Sequence, residues 1–565
     1  MAAPTIKRGS DHFFVNTYEG TALGQKVGNF VPFTDNGTIA KSVIFNDDDN
    51  AYLSRTNDAG DRDTFTVSVW VKRSITGNIQ HIFDTYDGSS DNDGYIRFNA
   101  NSTISTRIGT PSSHLYTTNR TFEDTTKWYH IVLSVNTNES TADDRVKLYV
   151  DGDLITSYSS RTNPSGGDNT QFNYASATFR VGSTTNGNYD YDGYIAEFNL
   201  VDGSALTPST FGLTDTSTGR WIPKALTGIT YGTNGHRLEF ANSAGQTIGD
   251  DTSGNTNDFT VSGLATTDIV TDSPTQNFAI GFHEQTLNGT RTMSEGNLKV
   301  VQGTSTSKFS SMRSSLMLDP NDPNLYYCEY KVDLEHGGNG SVVGFTDIRA
   351  DTKKADSSDL RMDIGTNYMF ACDNYIVHEV DGADAGTGDN ATLNPEFTTN
   401  DVMGLAFQAG KVWIAKNNTW SNSGNPGAGT GYLVELPKNT KYRFYAGQYG
   451  SSSGNAGTFN FGQKSFTYTV PTGAKNLQQD NLLDKGVKPD LVWIKNRDAT
   501  DSHQWYDSTR GPLLDMSTDT TDEESTTTDG LQKFLQGGCA IEDDVSINTD
   551  GESYVAWNWV ANGGT

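Results

Sequence analysis

Three stretches of this 565-residue chain set aromatic rings beside carboxylates and amides at loop-like spacing. Tyr86 to Tyr95 (YDGSSDNDGY) carries Asp87, Asp91 and Asp93 between two tyrosines. Asn188 to Asp192 (NYDYD) puts Tyr189, Asp190 and Tyr191 side by side, and Trp420 opens WSNSGN. That mixture suits sugar recognition: rings stack on the C–H faces of a sugar while Asp and Asn bridge adjacent hydroxyls. Tyr86, Asp87, Asp91, Asp93, Tyr189, Asp190, Tyr191 and Trp420 are therefore the candidate ligand-binding residues. Asp87, Asp91 and Asp93 also offer the oxygens that Ca²⁺ takes, about six to eight at a time. As an EF-hand the loop fails, because Ser89 would hold the first position and Ala100 that of the bidentate Glu. An ordinary acidic turn is the competing reading. Titration with Ca²⁺ that gives neither heat nor a melting shift rules the cation out.

Catalytic patterns fare worse. Gly450, Ser452 and Gly454 spell G-x-S-x-G, but GSSSGNAG reads as a loop between strands. A nucleophile elbow needs a strand, a strained turn and a helix. GAGTG at Gly427 to Gly431 lacks the βαβ surroundings of a phosphate site. The nine histidines show no metal-ligand spacing, and His130 in WYHIVLSV reads as a core imidazole. Cys328, Cys372 and Cys539 are odd in number and widely spaced, so buried free thiols are expected, with no disulfide scaffold or zinc cluster. Apart from Ca²⁺ no cofactor is expected.

Charge narrows the partners. Lys plus Arg number 41 against 69 for Asp plus Glu, a formal −28 that disfavours nucleic acid and anionic membranes. Only 16 of the acids are Glu, and Asp is the turn-former of the pair, which places the acidity in loops. No segment reaches the roughly 18 apolar residues of a membrane helix. The opening MAAPTIKRGSDHFF lacks the apolar stretch of a signal peptide, so assembly in a cytoplasm is expected.

Loops of this kind need a scaffold, and five segments supply one: FTVSVWVKR, KWYHIVLSV, RVKLYVDGDLI, ATFRVG and GYIAEFNL. Phe65, Val67, Val69 and Val71 fall on one face, as do Val146, Leu148 and Val150, which run into an Asp151-Gly152 turn. Period-two alternation closed by Asp-Gly predicts a hairpin. Several such strands predict two antiparallel sheets packed face to face. The fold class is all-β, with LQKFLQG (Leu531 to Gly537) as one of the few helical candidates.

In this order the segments resemble the laminin-G-like or concanavalin A-like jelly roll over residues 36–212, a fold common among carbohydrate-binding domains. Glycosidases of that fold carry E-x-D-x-x-E or E-x-D-x-E, which sets two carboxyls about 5 Å apart. None of the 16 glutamates begins either pattern. Glu379, Asp381 and Asp384 come nearest, but with Asp in the last place and a D-G turn between them. An enzyme is not expected. Residues 213–275 read as a small β connector. LYYCEYKVD, SVVGFTD, DVMGLAFQAGKVWIAKNNTW and TFNFGQKSF, within 276–470, resemble a SPRY domain in order, although Asn418 stands where that family's hairpin usually has Gly. Residues 471–565 read as a C-terminal β domain with an acidic loop. Residues 1–35 read as an arm that orders on a partner, or as a strand or loop on the first sandwich.

The succession of these units, ending in DLVWIKNR and YVAWNWVANGG, resembles fibre-type proteins of tailed marine bacteriophages. The resemblance implies a non-enzymatic virion protein: a tail fibre or receptor-binding appendage, docked on other virion proteins and gripping host-surface glycans. A homotrimer is the usual arrangement there. A capsid-decorating protein is the alternative within that class, and a concanavalin A-like carbohydrate-active enzyme the alternative outside it.

Overall fold

The computed structural model contains strands and short 3-10 turns, with no α-helix among the described residues. It describes residues 38–561 except 89–92, 110–113, 216–217, 241–244, 283–290, 303–308, 336–340, 349–364, 381–382, 391, 450–454, 483–487 and 550–551. The arm over 1–35, Asp91, Asp381 and the Gly450-Ser452-Gly454 pattern lie outside these residues. The chain divides into two compact units, one holding Gly37–Phe211 with Pro223–Leu483, the other Gly212–Ile222 with Asp484–Thr565.

The larger unit contains two sandwiches. In the first, a back sheet runs Asp153–Leu154, Val146–Val150, Tyr129–Asn136, Thr64–Arg73, Gly193–Asp202, Ser42–Phe45, Ile269–Val270. A front sheet runs Tyr158–Arg161, Leu115–Thr121, Thr103–Ile108, Asp93–Phe98, Gln80–Tyr86, Thr178–Val181, Tyr52–Thr56, Thr260–Ser262. Alternation sets the register: Phe65, Val67 and Val69 lie opposite Val135, Leu133 and Ile131, and all six are fully buried. Asp151 and Gly152, with φ of 52° and 84°, close the expected two-residue hairpin. Where a separate connector was expected, strands His236–Leu238, Thr260–Ser262 and Ile269–Val270 pair with strands of this sandwich.

The second sandwich stacks a sheet centred on Ser341–Asp347 and Tyr442–Tyr449 against one centred on Leu325–Leu334 and Val402–Gln408. Its last strand, Ala474–Lys475, adds in parallel to Leu325–Leu334, so the sandwich extends past residue 470. Two hairpins here demand left-handed backbone. Gln408 pairs with Lys411 across Ala409 (φ 50°) and Gly410 (φ 85°). Lys416 pairs with Thr419 across Asn417 (φ 46°) and Asn418 (φ 66°), so Asn418 takes the conformation for which Gly is usual. Asn adopts that region at lower cost than Ala. Replacing Ala409 with Asn is expected to stabilise the protein by about 1 kcal/mol, read as a higher melting temperature.

A buried polar cluster joins the two sandwiches. Lys72 and Asp272 pair at 2.9 Å with both side chains inaccessible to solvent. Tyr194 donates to the Gly296 carbonyl at 2.7 Å and Asn297 to the Ser74 carbonyl at 2.6 Å.

In the smaller unit, Leu491–Asn496 sits between Gln504–Asp507 and Tyr554–Trp559 in a five-stranded sheet. Val492, Ile494 and Tyr506 pack on Leu531, Phe534 and Ile547. Leu531 to Gly537 is not helical: Leu531–Leu535 pairs with Gly538–Ile541 through a turn at Gly537 (φ 92°). Seven residues are too short a run to hold a helix alone, and tertiary pairing decides.

Candidate functional site

Strands Gln80–Tyr86, Asp93–Phe98 and Thr103–Ile108 are neighbours in the front sheet, and their apolar residues Ile82, Phe83, Ile96, Phe98, Ile104 and Ile108 belong to the core. Period two then sends His81, Asp84, Asp93, Tyr95, Arg97, Ser105 and Arg107 to the opposite face. A register shift between His81 and Phe83 lets Ile82 and Phe83 both join the core and returns His81 to that outer face. Arg180 and Tyr52 extend the same face across the next two strands.

The floor of this face is buried and its walls are half-exposed. His81 is 3% exposed, Asp84 4% and Tyr95 5%, whereas Tyr189 above them is 52% exposed. Tyr189 adopts φ 58°, its carbonyl accepts the His81 amide at 2.9 Å, and its ring lies 5.9 Å from the imidazole at 18°. The Tyr95 ring lies 4.9 Å from the imidazole, tilted by 55°. Neither ring nitrogen of His81 has a hydrogen-bond partner among the described residues. Burial, with Arg97 adding to it, pushes its pKa down to about 3, so the imidazole is neutral. It can then donate one hydrogen bond and accept another.

Charge is arranged around that imidazole. Arg97 lies over the Tyr95 ring at 4.8 Å and Arg180 over the Tyr52 ring at 3.9 Å. Asp93 forms an ion pair with Arg107. Asp84 accepts the Thr185 amide at 2.8 Å, and burial raises its pKa to about 6 despite that bond. A chain of neutral groups continues the face: Asn99 donates to Thr103 at 2.9 Å and Ser105 at 2.7 Å, and Ser105 meets Thr117 at 2.8 Å. Rings, guanidinium groups and hydroxyls on one outer sheet face are the means of holding a polar ligand with C–H faces.

Residues 45–210 match the family described as the concanavalin A-like lectin/glucanases superfamily. Residues 463–565 match a domain of unknown function, DUF7483. No curated protein matches the sequence. Among solved structures, a heptameric SAP-like pentraxin from Limulus polyphemus is similar at 16% identity and TM-score 0.23, covering 30% of this chain and 80% of that one. The SPRY domain of human HERC1 is similar at 12% identity and TM-score 0.22, over 30% of this chain and 91% of that one. A putative carbohydrate binding protein from Bacteroides ovatus is similar at 14% identity and TM-score 0.28, over 40% of this chain and 58% of that one.

Within the concanavalin A-like domain the residues expected to bind do not gather in one place. Tyr86 pairs with Asp93 at one end of Gln80–Tyr86, and Tyr189 sits at the other end by His81. Five residues of strand, about 17 Å, separate the two. Asp87 is half-buried just beyond Tyr86. Asp190 accepts a hydrogen bond from the Ser183 hydroxyl. Tyr191 is fully buried, edge-on to Phe45 in the core, so it has no ring face for a ligand. In the second sandwich, half-buried Trp420 packs on Tyr327 at 6.2 Å beside Phe466 and serves packing. Its loop satisfies itself: Asn422 donates to the Tyr432 carbonyl at 3.1 Å, and Asn425 accepts from Ala428.

Among the described residues no group of three or more His, Cys, Asp or Glu is placed to hold a metal ion. Asp91, the central member of the Ca²⁺ reading, is outside those residues, and Asp93 is engaged by Arg107. His130 is a core imidazole: it is fully buried, meets the Ser68 hydroxyl at 2.8 Å and stacks on Trp70 at 4.5 Å. None of Cys328, Cys372 and Cys539 forms a disulfide. His81, Asp84, Tyr95, Arg97, Arg107 and Arg180 escape the loop-centred search. Their signal was present in HIFDTY, GYIRF, TISTRI and TFRV, where His, Asp, Tyr or Arg stands next to the core residues of each strand.

Proposed function

We propose that this chain is a non-enzymatic glycan-binding protein, with a sugar held on the outer face of the front sheet of its concanavalin A-like domain. The observation that carries the reading is an exposed Tyr189 ring stacked over His81, a buried imidazole with both nitrogens unpartnered. A sugar ring lying on Tyr189 would bring hydroxyls within reach of the surrounding polar groups, as ring stacking and directed hydrogen bonds together require. Replacing Tyr189 with Ala is expected to weaken binding of a recognised glycan about five- to tenfold, with melting unchanged because the side chain is exposed. Calorimetry with host-surface polysaccharide checks this, and equal affinity of the variant would move the site elsewhere. New reducing ends on incubation would replace binding with hydrolysis.

The setting we propose is the particle of a tailed bacteriophage, with the protein as a receptor-binding appendage and the arm over residues 1–35 docked on other virion proteins. Weak sugar sites gain strongly when repeated copies engage one surface. The resemblance of the ordered segments to phage fibre proteins supports this setting. Labelled antibody on purified particles tests it: decoration of the tail supports an appendage, and even decoration of the shell supports a capsid-decorating protein. Loss of incorporation on deleting residues 1–35 supports the arm.

A further inference from the structure

If the front-sheet face holds sugar, as proposed, its charge selects the class of sugar. The chain as a whole carries −28, yet this face presents Arg97, Arg107 and Arg180 against Asp84 and Asp93. Asp93 is paired to Arg107, and Asp84 accepts a backbone amide. Arg97 and Arg180 are held differently, each laid on a tyrosine ring and donating to a neutral oxygen. Arg97 Nε reaches the Asn99 side chain at 3.0 Å, and Arg180 Nη1 reaches the Thr184 carbonyl at 2.7 Å. Neither makes a salt bridge among the described residues, and Arg180 Nε is buried without a partner. Two guanidinium groups are thus fixed in place by rings and neutral acceptors with no carboxylate at ion-pair distance among the described residues, Asp84 opposite Arg180 being held instead by the Thr185 amide. The two unpartnered nitrogens of His81 lie beside them, close enough to Arg97 for that charge to depress the imidazole pKa.

Planar guanidinium forks match a carboxylate with two parallel hydrogen bonds, a geometry an ammonium cannot offer. Stacking on a ring limits the rotamers that each arginine would otherwise lose on binding. Arg97 and Arg180 stand on strands separated by the strand that carries His81 and Asp84, roughly 10 Å across the sheet. They therefore meet different residues of one sugar chain. We infer that this face binds a carboxylated polysaccharide of the uronic acid class, with Arg97 and Arg180 receiving two carboxylates along one chain.

The test uses the full chain in calorimetric titration with three ligands: a polyuronate oligosaccharide, the same oligosaccharide with its carboxyls reduced to alcohols, and a sulfated glycan with a neutral backbone. The polyuronate should bind, and carboxyl reduction should weaken binding about tenfold or more, the scale of lost charge-assisted hydrogen bonds. Arg97→Gln and Arg180→Gln should each lose about tenfold toward the polyuronate and leave the reduced ligand unaffected. Because ligand reduction needs no variant, the result stands even where a variant folds poorly. Equal affinity for the acidic and reduced ligands, both lowered by Tyr189→Ala, would overturn the uronate assignment and leave glycan binding intact. Binding to the sulfated glycan alone would also overturn it. Binding to none of the three would bring down the glycan reading itself.

Discussion

Replacing Asp272 with Ala should destabilise the larger unit by about 3–5 kcal/mol, the cost of leaving a buried charge uncompensated. Its partner Lys72 has no exposed surface, and every donor of the ammonium is used: Asp272 at 2.9 Å, Asn277 at 2.8 Å and the Phe278 carbonyl at 3.3 Å. On the other oxygen, Asp272 accepts the Trp128 indole N–H at 3.0 Å. Burial pushes the Asp272 carboxyl upward even with Lys72 beside it, so the pair is far from a free gain. Exchanging both partners for apolar residues, Lys72→Met with Asp272→Leu, is accordingly expected to cost much less than the single change. Chemical denaturation followed by tryptophan fluorescence measures this directly, since Trp128 touches the pair. Equal losses in the single and double variants would mean that the ion pair is not what binds Asp272 in place.

That pair also shows what the sequence concealed. Lys72 lies in FTVSVWVKR and reads as the polar end of a strand; its partner is 200 residues away in a segment read as a connector. Nothing local announces such a pairing. The same holds for strands His236–Leu238, Thr260–Ser262 and Ile269–Val270, each only two or three residues long and stabilised by the sheet edge they join. By contrast, the long alternating strands and the Asp151-Gly152 turn were legible, because their signal is complete within about ten residues.

The candidate site was half legible for a related reason. Tyr189 of the Tyr- and Asp-rich NYDYD loop is exposed, but its left-handed backbone (φ 58°) breaks the strand alternation that would put Tyr189 and Tyr191 on one face. Tyr189 faces out, while Tyr191 and Asp192 are buried. Three strands with polar residues on their outer positions form one surface only when their order in the sheet is known. Sequence spacing gives the face of each strand; the register between them, Asp84 opposite Tyr95 and Tyr95 opposite Arg107, comes from the fold.

The buried end of that loop leads to the second large effect. Asp192 is 2% exposed, and its carbonyl accepts the Ser74 amide at 3.0 Å. One carboxyl oxygen has no partner among the described residues. Burial, with Asp47, Asp48 and Glu295 nearby, lifts its pKa to about 8, so folding keeps this acid protonated at neutral pH. Below about pH 4 the group is protonated in both folded and unfolded chains and costs nothing. As pH rises from there, the unfolded chain ionises and the folded one does not, so stability falls until the folded group itself titrates near pH 8. A shift of this size corresponds to roughly 6 kcal/mol at most, reduced by whatever the site relaxes. Asp192→Asn keeps the shape and removes the proton. The variant should match the parent near pH 4 and exceed it by several kcal/mol at pH 8, with the gap opening steadily between. Paired denaturation curves at pH 4, 6 and 8 decide it: parallel pH profiles for the two proteins would show that Asp192 is ionised in the fold and that its surroundings supply a countercharge.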